Sequence, residues 1–156
     1  MLDISTNPSR TARAYVTARN LFDRLYLVAK LKAFIANLLG QSRELQMLDE
    51  INSDGVKSRY ILERQAVPME RIIGSEGRSE EYDKEFLPRH RRDRERWVSV
   101  AAGMIRNPTQ FSPIRVVRVG DDYYIQDGHH RVSVARALNY LFIDADVTVW
   151  DFEHEA

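Results

Sequence analysis

Apolar residues recur every three or four positions along the first quarter of the chain, at Leu21, Leu25, Val28, Leu31, Phe34 or Ile35, and Leu38. That period predicts a long amphipathic helix. Asn7 followed by Pro8 supplies its start, an Asn able to cap free amides ahead of a proline whose missing N–H costs nothing at the first helical position. Gly40 supplies its stop. Ser42 can cap a second helix carrying Leu45, Leu48 and Ile51, and NSDG at 52–55 breaks the pattern. Residues 1–58 are therefore expected to form a helical hairpin, packed on the remainder or extending from it. An extending hairpin predicts a homodimer through residues 10–39.

Beyond the break the period changes. Val67, Met69, Ile72 and Ile73 predict a short strand ending at Gly74, and GSEGRSEEYD predicts a loop. FLPRHRRDRERW is charged enough to form a solvated link. WVSVAAGMIRN at 97–107 predicts a helix with Trp97, Val100 or Ala101, and Met104 or Ile105 on one side, stopped by Asn107 and Pro108. PIRVVRV, GDD and YYIQ predict a β-hairpin. VSVARAL sets Val132, Ala135 or Arg136, and Leu138 at helical intervals, with Asn139 as a left-handed terminator. FIDADVTVW alternates, placing Ile143, Ala145, Val147 and Val149 on one face. This order of helices, strand, helix, hairpin, helix and strand predicts a mixed α/β or α+β domain over residues 59–156.

Composition narrows the function classes. The 156 residues are 44% hydrophobic, enough for a real core in one domain. Lys plus Arg equals Asp plus Glu at 23 each, so any anion-seeking surface must be a local patch. The strongest such patch is RHRRDRER at 89–96, where Arg91, Arg92 and Arg94 are candidates for contact with a nucleic-acid backbone. The absence of cysteine excludes disulfides and thiol chemistry. MLDISTNPSRTAR lacks the apolar stretch of a secretory signal, and no run approaches the ~20 apolar residues of a membrane span. A cytoplasmic protein without membrane contact is the expectation.

The candidate chemistry centres on QDGHHR at 126–131, which falls between a predicted strand and a predicted helix. Gly128 permits an unusual dihedral, and the helix start that follows presents backbone N–H groups with a local positive potential. A phosphate fits there, with Arg131 as a planar donor fork and His129 or His130 as a ring donor. Asp127 would repel a bare phosphate, so it orients a neighbour, caps the helix, or holds a metal beside the phosphate. Two other readings compete. Zinc requires converging ligands, which adjacent histidines at a helix start do not provide. A plain strand-to-helix turn would leave one histidine packed and Arg131 exposed. Ser133, flanked by valines, reads as a packing residue, and Trp97 as a core anchor.

With those residues in view, the chain resembles the ParB/sulfiredoxin-like superfamily, in its ParB N-terminal or ParB-like nuclease type. The resemblance runs over roughly residues 65–149, through VPMERIIGSEGR, the central helix, PIRVV, YYIQDGHHRVSVARAL and IDADVTV. It implies a ParB/sulfiredoxin-like domain behind the helical hairpin, with a phosphate or nucleotide site between the box and the first loop. Gly128, His129, His130 and Arg131 would carry the box, and Arg78 would face it. The implied ligand is a nucleotide, ATP, ADP or CTP, with magnesium. Sulfiredoxins place a cysteine before the His-Arg pair; here that position is His129, which removes cysteine-dependent reduction. A free-serine kinase branch has a similar box and an acidic catalytic residue in its first segment, for which this chain offers Glu70, Glu76, Glu80 and Glu81. Glu76 is favoured, with His130 as the second catalytic candidate in phosphoryl transfer or hydrolysis. The alternatives are a DNA-associated regulatory or nuclease-like module, and a structural protein that binds a partner through its N-terminal helices.

Overall fold

The computed structural model describes residues 8–51, 53–77 and 79–152. Helix α1 (Pro8–Leu38) leads to a two-residue strand β1 (Gln46–Met47), followed by 3-10 turns at Leu48–Glu50 and Ser53–Gly55. Strand β2 (Val56–Pro68) and strand β3 (Ile72–Ser75) come next, separated by a 3-10 turn at Met69–Arg71. Helix α2 (Arg94–Arg106), strands β4 (Ile114–Val119) and β5 (Asp122–Asp127), helix α3 (His129–Ala137) and strand β6 (Phe142–Phe152) complete the order. The strands form one six-stranded mixed sheet, β1-β3-β5-β4-β6-β2, in which β3 runs parallel to β5 and β4 parallel to β6. The architecture is α+β, as the element order predicts.

The main core fills one face of the sheet. Ile114, Val116, Ile125, Ala145 and Val147 pack against Trp97, Val98 and Ala101 of α2 and Val132, Val134 and Ala135 of α3. Trp97 is fully buried and meets Phe22 of α1 edge-to-face at 5.6 Å between ring centroids. A smaller cluster of Leu48, Val117 and Tyr124, flanked by Ile73 and Trp150, lies apart from it.

Four expectations are corrected. The helical hairpin of residues 1–58 has only one helical arm among the described residues, and the Asn7 cap lies outside them. Residues 42–51 do not form the second helix, because Leu45 and Leu48 are needed in different clusters, the first in the main core and the second in the smaller one. A helix would place both on one side; the chain instead extends, and Gln46 pairs with Gly74 at the sheet edge.

The second correction concerns α1. Its buried side is Ala14, Ala18, Phe22, Ala29 and Ala36, while Leu31, Phe34, Ile35 and Leu38 are exposed. Small residues let the helix axis approach α2 closely; Leu21 and Leu25 pack against the core, and from Val28 onward the apolar pattern does not mark the core-facing side. The third is the supposed charged link, which is the 3-10 turn Arg91–Asp93 running into the first turn of α2.

Gly74 also differs from its expected role. It lies inside β3 and does not end it, and a Cβ there would sit 2.3 Å from the Gln46 carbonyl oxygen and 2.7 Å from the Tyr124 ring. Glycine is what allows β1 to join the sheet. No helix among the described residues is long and apolar enough to cross a membrane.

Candidate functional site

The site is built where β5 passes into α3. Strand β5 delivers Ile125 to the core and ends at Asp127; Gly128 then adopts φ +108°, a left-handed conformation that L side chains rarely reach. Helix α3 starts at His129 with no side-chain cap, and its first backbone bond runs from the Val132 N–H to the Gly128 carbonyl. The amides of residues 129–131 precede that bond and carry the positive end of the helix dipole. The junction expected from QDGHHR is therefore present.

The two histidines diverge. His129 Nε2 lies 2.7 Å from Oγ of Ser75, a buried side chain at the end of β3. His130 Nδ1 is hydrogen-bonded to the Tyr82 hydroxyl, with the rings edge-to-face at 5.7 Å. The rings thus tether α3 to the end of β3 and to the segment that follows it, and their separate partners explain why they do not converge on one point. Burial lowers both histidine pKa values, partly opposed by the Glu81 carboxylate. Both rings are accordingly neutral at pH 7. Burial raises the Tyr82 phenol far above its ordinary value, so its hydroxyl stays protonated.

Arg131 is the chief cation of the junction, but its guanidinium already has partners. Nη1 donates to the Ser112 carbonyl at 2.5 Å and Nη2 to Asp127 Oδ2 at 3.4 Å. Its side chain is mostly buried, and it borders a cavity of about 360 Å³. Arg64, Thr109, Phe111, Tyr140 and Asp144 also line that cavity. Arg64 sits at φ +43° on an irregularity of β2, where its N–H donates to Asp146 Oδ1 at 2.8 Å.

The acidic candidates separate. Glu76 is brought to the site edge: its N–H donates to the Ile125 carbonyl at 2.9 Å, and its carboxylate accepts from Gln126 Nε2 at 3.1 Å. Glu70 lines a different cavity beside Arg136, and Glu80 a small one with Ser75 and Arg89. Glu81 is the carboxylate whose field both histidines feel. Asp127 is largely exposed and ion-paired with Arg131. Among the described residues no three His, Cys, Asp or Glu side chains gather to hold a metal. Arg78 lies outside the described residues.

The arginine patch is mainly a tie between helices. Arg94 donates to both carboxylate oxygens of Asp23 on α1, at 2.9 and 3.1 Å, and Arg91 lies over the Tyr26 ring at 5.5 Å. Arg92 remains exposed. Ser133 is buried as a relay, accepting from Trp97 Nε1 at 2.9 Å and donating to the Phe86 carbonyl at 2.7 Å.

Sequence reasoning missed Ser75, Tyr82, Ser112 and Arg64. Ser75 directly follows Gly74 and Tyr82 closes the same loop, but nothing local to either residue signals a histidine partner. No protein-family model matches the chain, and comparison with curated proteins gives no match.

Proposed function

We propose that this chain binds a phosphate-bearing small molecule, a nucleotide, at the junction of β5 and α3. The observation that carries the reading is the adjacency of an uncapped helix start after Gly128 to a cavity of about 360 Å³ bordered by Arg131 and Arg64. The cavity is in the size range of small-ligand sites. Amides at the helix start and two guanidinium groups supply the donors a phosphate needs. Phe111 and Tyr140 offer ring surface for a base.

Charge balance refines the ligand. Asp127 and Asp144 offset Arg131 and Arg64 in the same region. This favours a phosphate accompanied by a divalent cation over a bare one, so the ligand in this reading is ATP, ADP or CTP with magnesium. The protein would add Asp127 to an ion held chiefly by the phosphates. The likeness of YYIQDGHHRVSVARAL to the ParB/sulfiredoxin-like box supports the same site. If a phosphoryl group is transferred or hydrolysed, Glu76 is the proton acceptor at the site edge, and neutral His130 is the second acid–base group.

A structure determined with nucleotide and magnesium tests the assignment. Phosphate density beside residues 128–131 is the expected result; density elsewhere on the chain overturns it.

A further inference from the structure

We infer that the outer face of α1 is the interface with a second copy of this chain, packed antiparallel over residues 27–39. Leu27, Leu31, Phe34 and Leu38 are spaced four, three and four residues apart, which places them within about 60° of arc on a helix turning 100° per residue. All four are at least 60% exposed. Val28 and Ile35 flank them, and Leu39 continues the apolar surface at the helix end. This stripe lies opposite the alanines and Phe22 that hold α1 to the domain, so covering it requires no rearrangement of the monomer.

The area fits a second copy. Taking about 200 Å² for a fully exposed large side chain, these seven residues leave roughly 800 Å² open, beyond the ~300–600 Å² of the largest patch on a typical monomer. A standard interface takes ~800 Å² from each partner. The 4-3-4 spacing is that of a helix-on-helix seam with apolar residues at the a and d positions.

Charge selects the orientation. Arg24 continues the seam toward the N-terminus of α1, and Lys30 stands at its border over the Tyr26 ring. A parallel pair would set Arg24 against Arg24 at the seam. In an antiparallel pair with its two-fold axis between positions 32 and 33, Leu31 meets Phe34, Leu27 meets Leu38, and Arg24 lies toward Gln41. The polar residues Arg13, Thr17 and Asn20 at the preceding seam positions end the interface there.

Sedimentation of the full chain across a concentration series reads the assembly. A dimer mass that dissociates on dilution is expected, with dissociation at least about tenfold easier in Leu31→Glu. Because that residue is exposed in the monomer, the variant should match the unfolding midpoint of the parent diluted to its monomeric state, which separates a lost interface from a lost fold. The chain has no cysteine, so orientation can be read by mixing Leu27→Cys and Leu38→Cys proteins under oxidation. Preferential cross-linking of 27 to 38 supports the antiparallel pair, and preferential 27-to-27 linkage overturns it. A chain that stays monomeric at every concentration overturns the interface, whether or not it co-sediments with anionic lipid vesicles; so does a Leu31→Glu variant that dimerises as well as the parent.

Discussion

Gly128 stands so close to Ile114 that a Cβ on it would lie 2.5 Å from Cγ2 of Ile114 and 2.9 Å from its Cβ. The start of α3 is thereby wedged against the first residue of β4, and both the contact and the φ of +108° require glycine. Gly128→Ala is expected to destabilise the fold by about 2 kcal/mol or more, from backbone strain and overpacking together. Adding Ile114→Ala removes the closer contact, to Cγ2, but leaves the one to Cβ and the dihedral, giving a partial favourable coupling in a double-mutant cycle measured by urea unfolding. Strictly additive losses would show that the contact does not matter.

Ser133→Ala tests whether the buried serine is structural. The substitution strips an acceptor from the Trp97 indole N–H and a donor from the Phe86 carbonyl, both in the core. A loss of about 1–3 kcal/mol follows from leaving such groups unpaired. It should appear as a lower urea midpoint at unchanged m. A neutral result would contradict the relay.

The histidine tethers predict a pH dependence with a defined sign. Burial lowers the folded-state pKa of His129 and of His130 below the unfolded value of about 6.5. The unfolded chain therefore takes up protons first, and stability falls as pH drops below about 6.5, levelling off once the folded-state values are passed. Asp23, held down by Arg94, and Glu85, held down by Arg43 and Lys32, act in a separate and more acidic window. Their contribution is present above the ordinary carboxylate range and is lost as pH falls below it toward their lowered folded-state values. In a His129→Gln, His130→Gln chain the stability slope between pH 7 and 5.5 should flatten, whatever the absolute loss. An unchanged slope would place the titration elsewhere.

Asp83 predicts a local failure next to the tethers. Its Oδ1 accepts the N–H groups of Glu85 and Leu87 at 2.9 and 3.0 Å, and its Oδ2 accepts from Arg43 at 2.8 and 3.2 Å. The carboxylate is nearly inaccessible, so Asp83→Ala leaves the Glu85 and Leu87 amides without their acceptor and the mostly buried Arg43 with Glu85 as its remaining carboxylate partner. A cost of about 1–3 kcal/mol is expected from the two unpaired amides, with faster proteolysis at residues 83–90. Wild-type resistance to protease would argue against this organisation.

The last third of the chain was legible because its pattern and its environment agree. The β-branched run, the GDD turn and the alternation from Ile143 to Val149 match β4, β5 and β6, and Asn139 takes φ +60° as a left-handed terminator. Strand β2 was not legible, since of its thirteen residues only Val67 is buried and the sequence shows no alternation. The inner side of α1 was hidden for the opposite reason, alanine being a weak hydrophobic signal and the exposed leucines a strong one. At the site, Gly128 and the helix start could be read locally. The partners of His129 and His130 lie 54 and 48 residues earlier in the chain, and only the fold brings them together.

Calorimetric titration of ATP, ADP and CTP, each with magnesium, into the wild-type chain and into Arg131→Lys and Arg131→Ala tests the nucleotide site most directly. The site predicts micromolar to millimolar binding to the wild type, weakened at least about tenfold by Arg131→Ala, equivalent to ~1.4 kcal/mol. Arg131→Lys, which keeps the charge but loses the fork, should fall between them. No nucleotide binding by the folded wild type, or undiminished binding by a folded Arg131→Ala chain, would contradict the assignment.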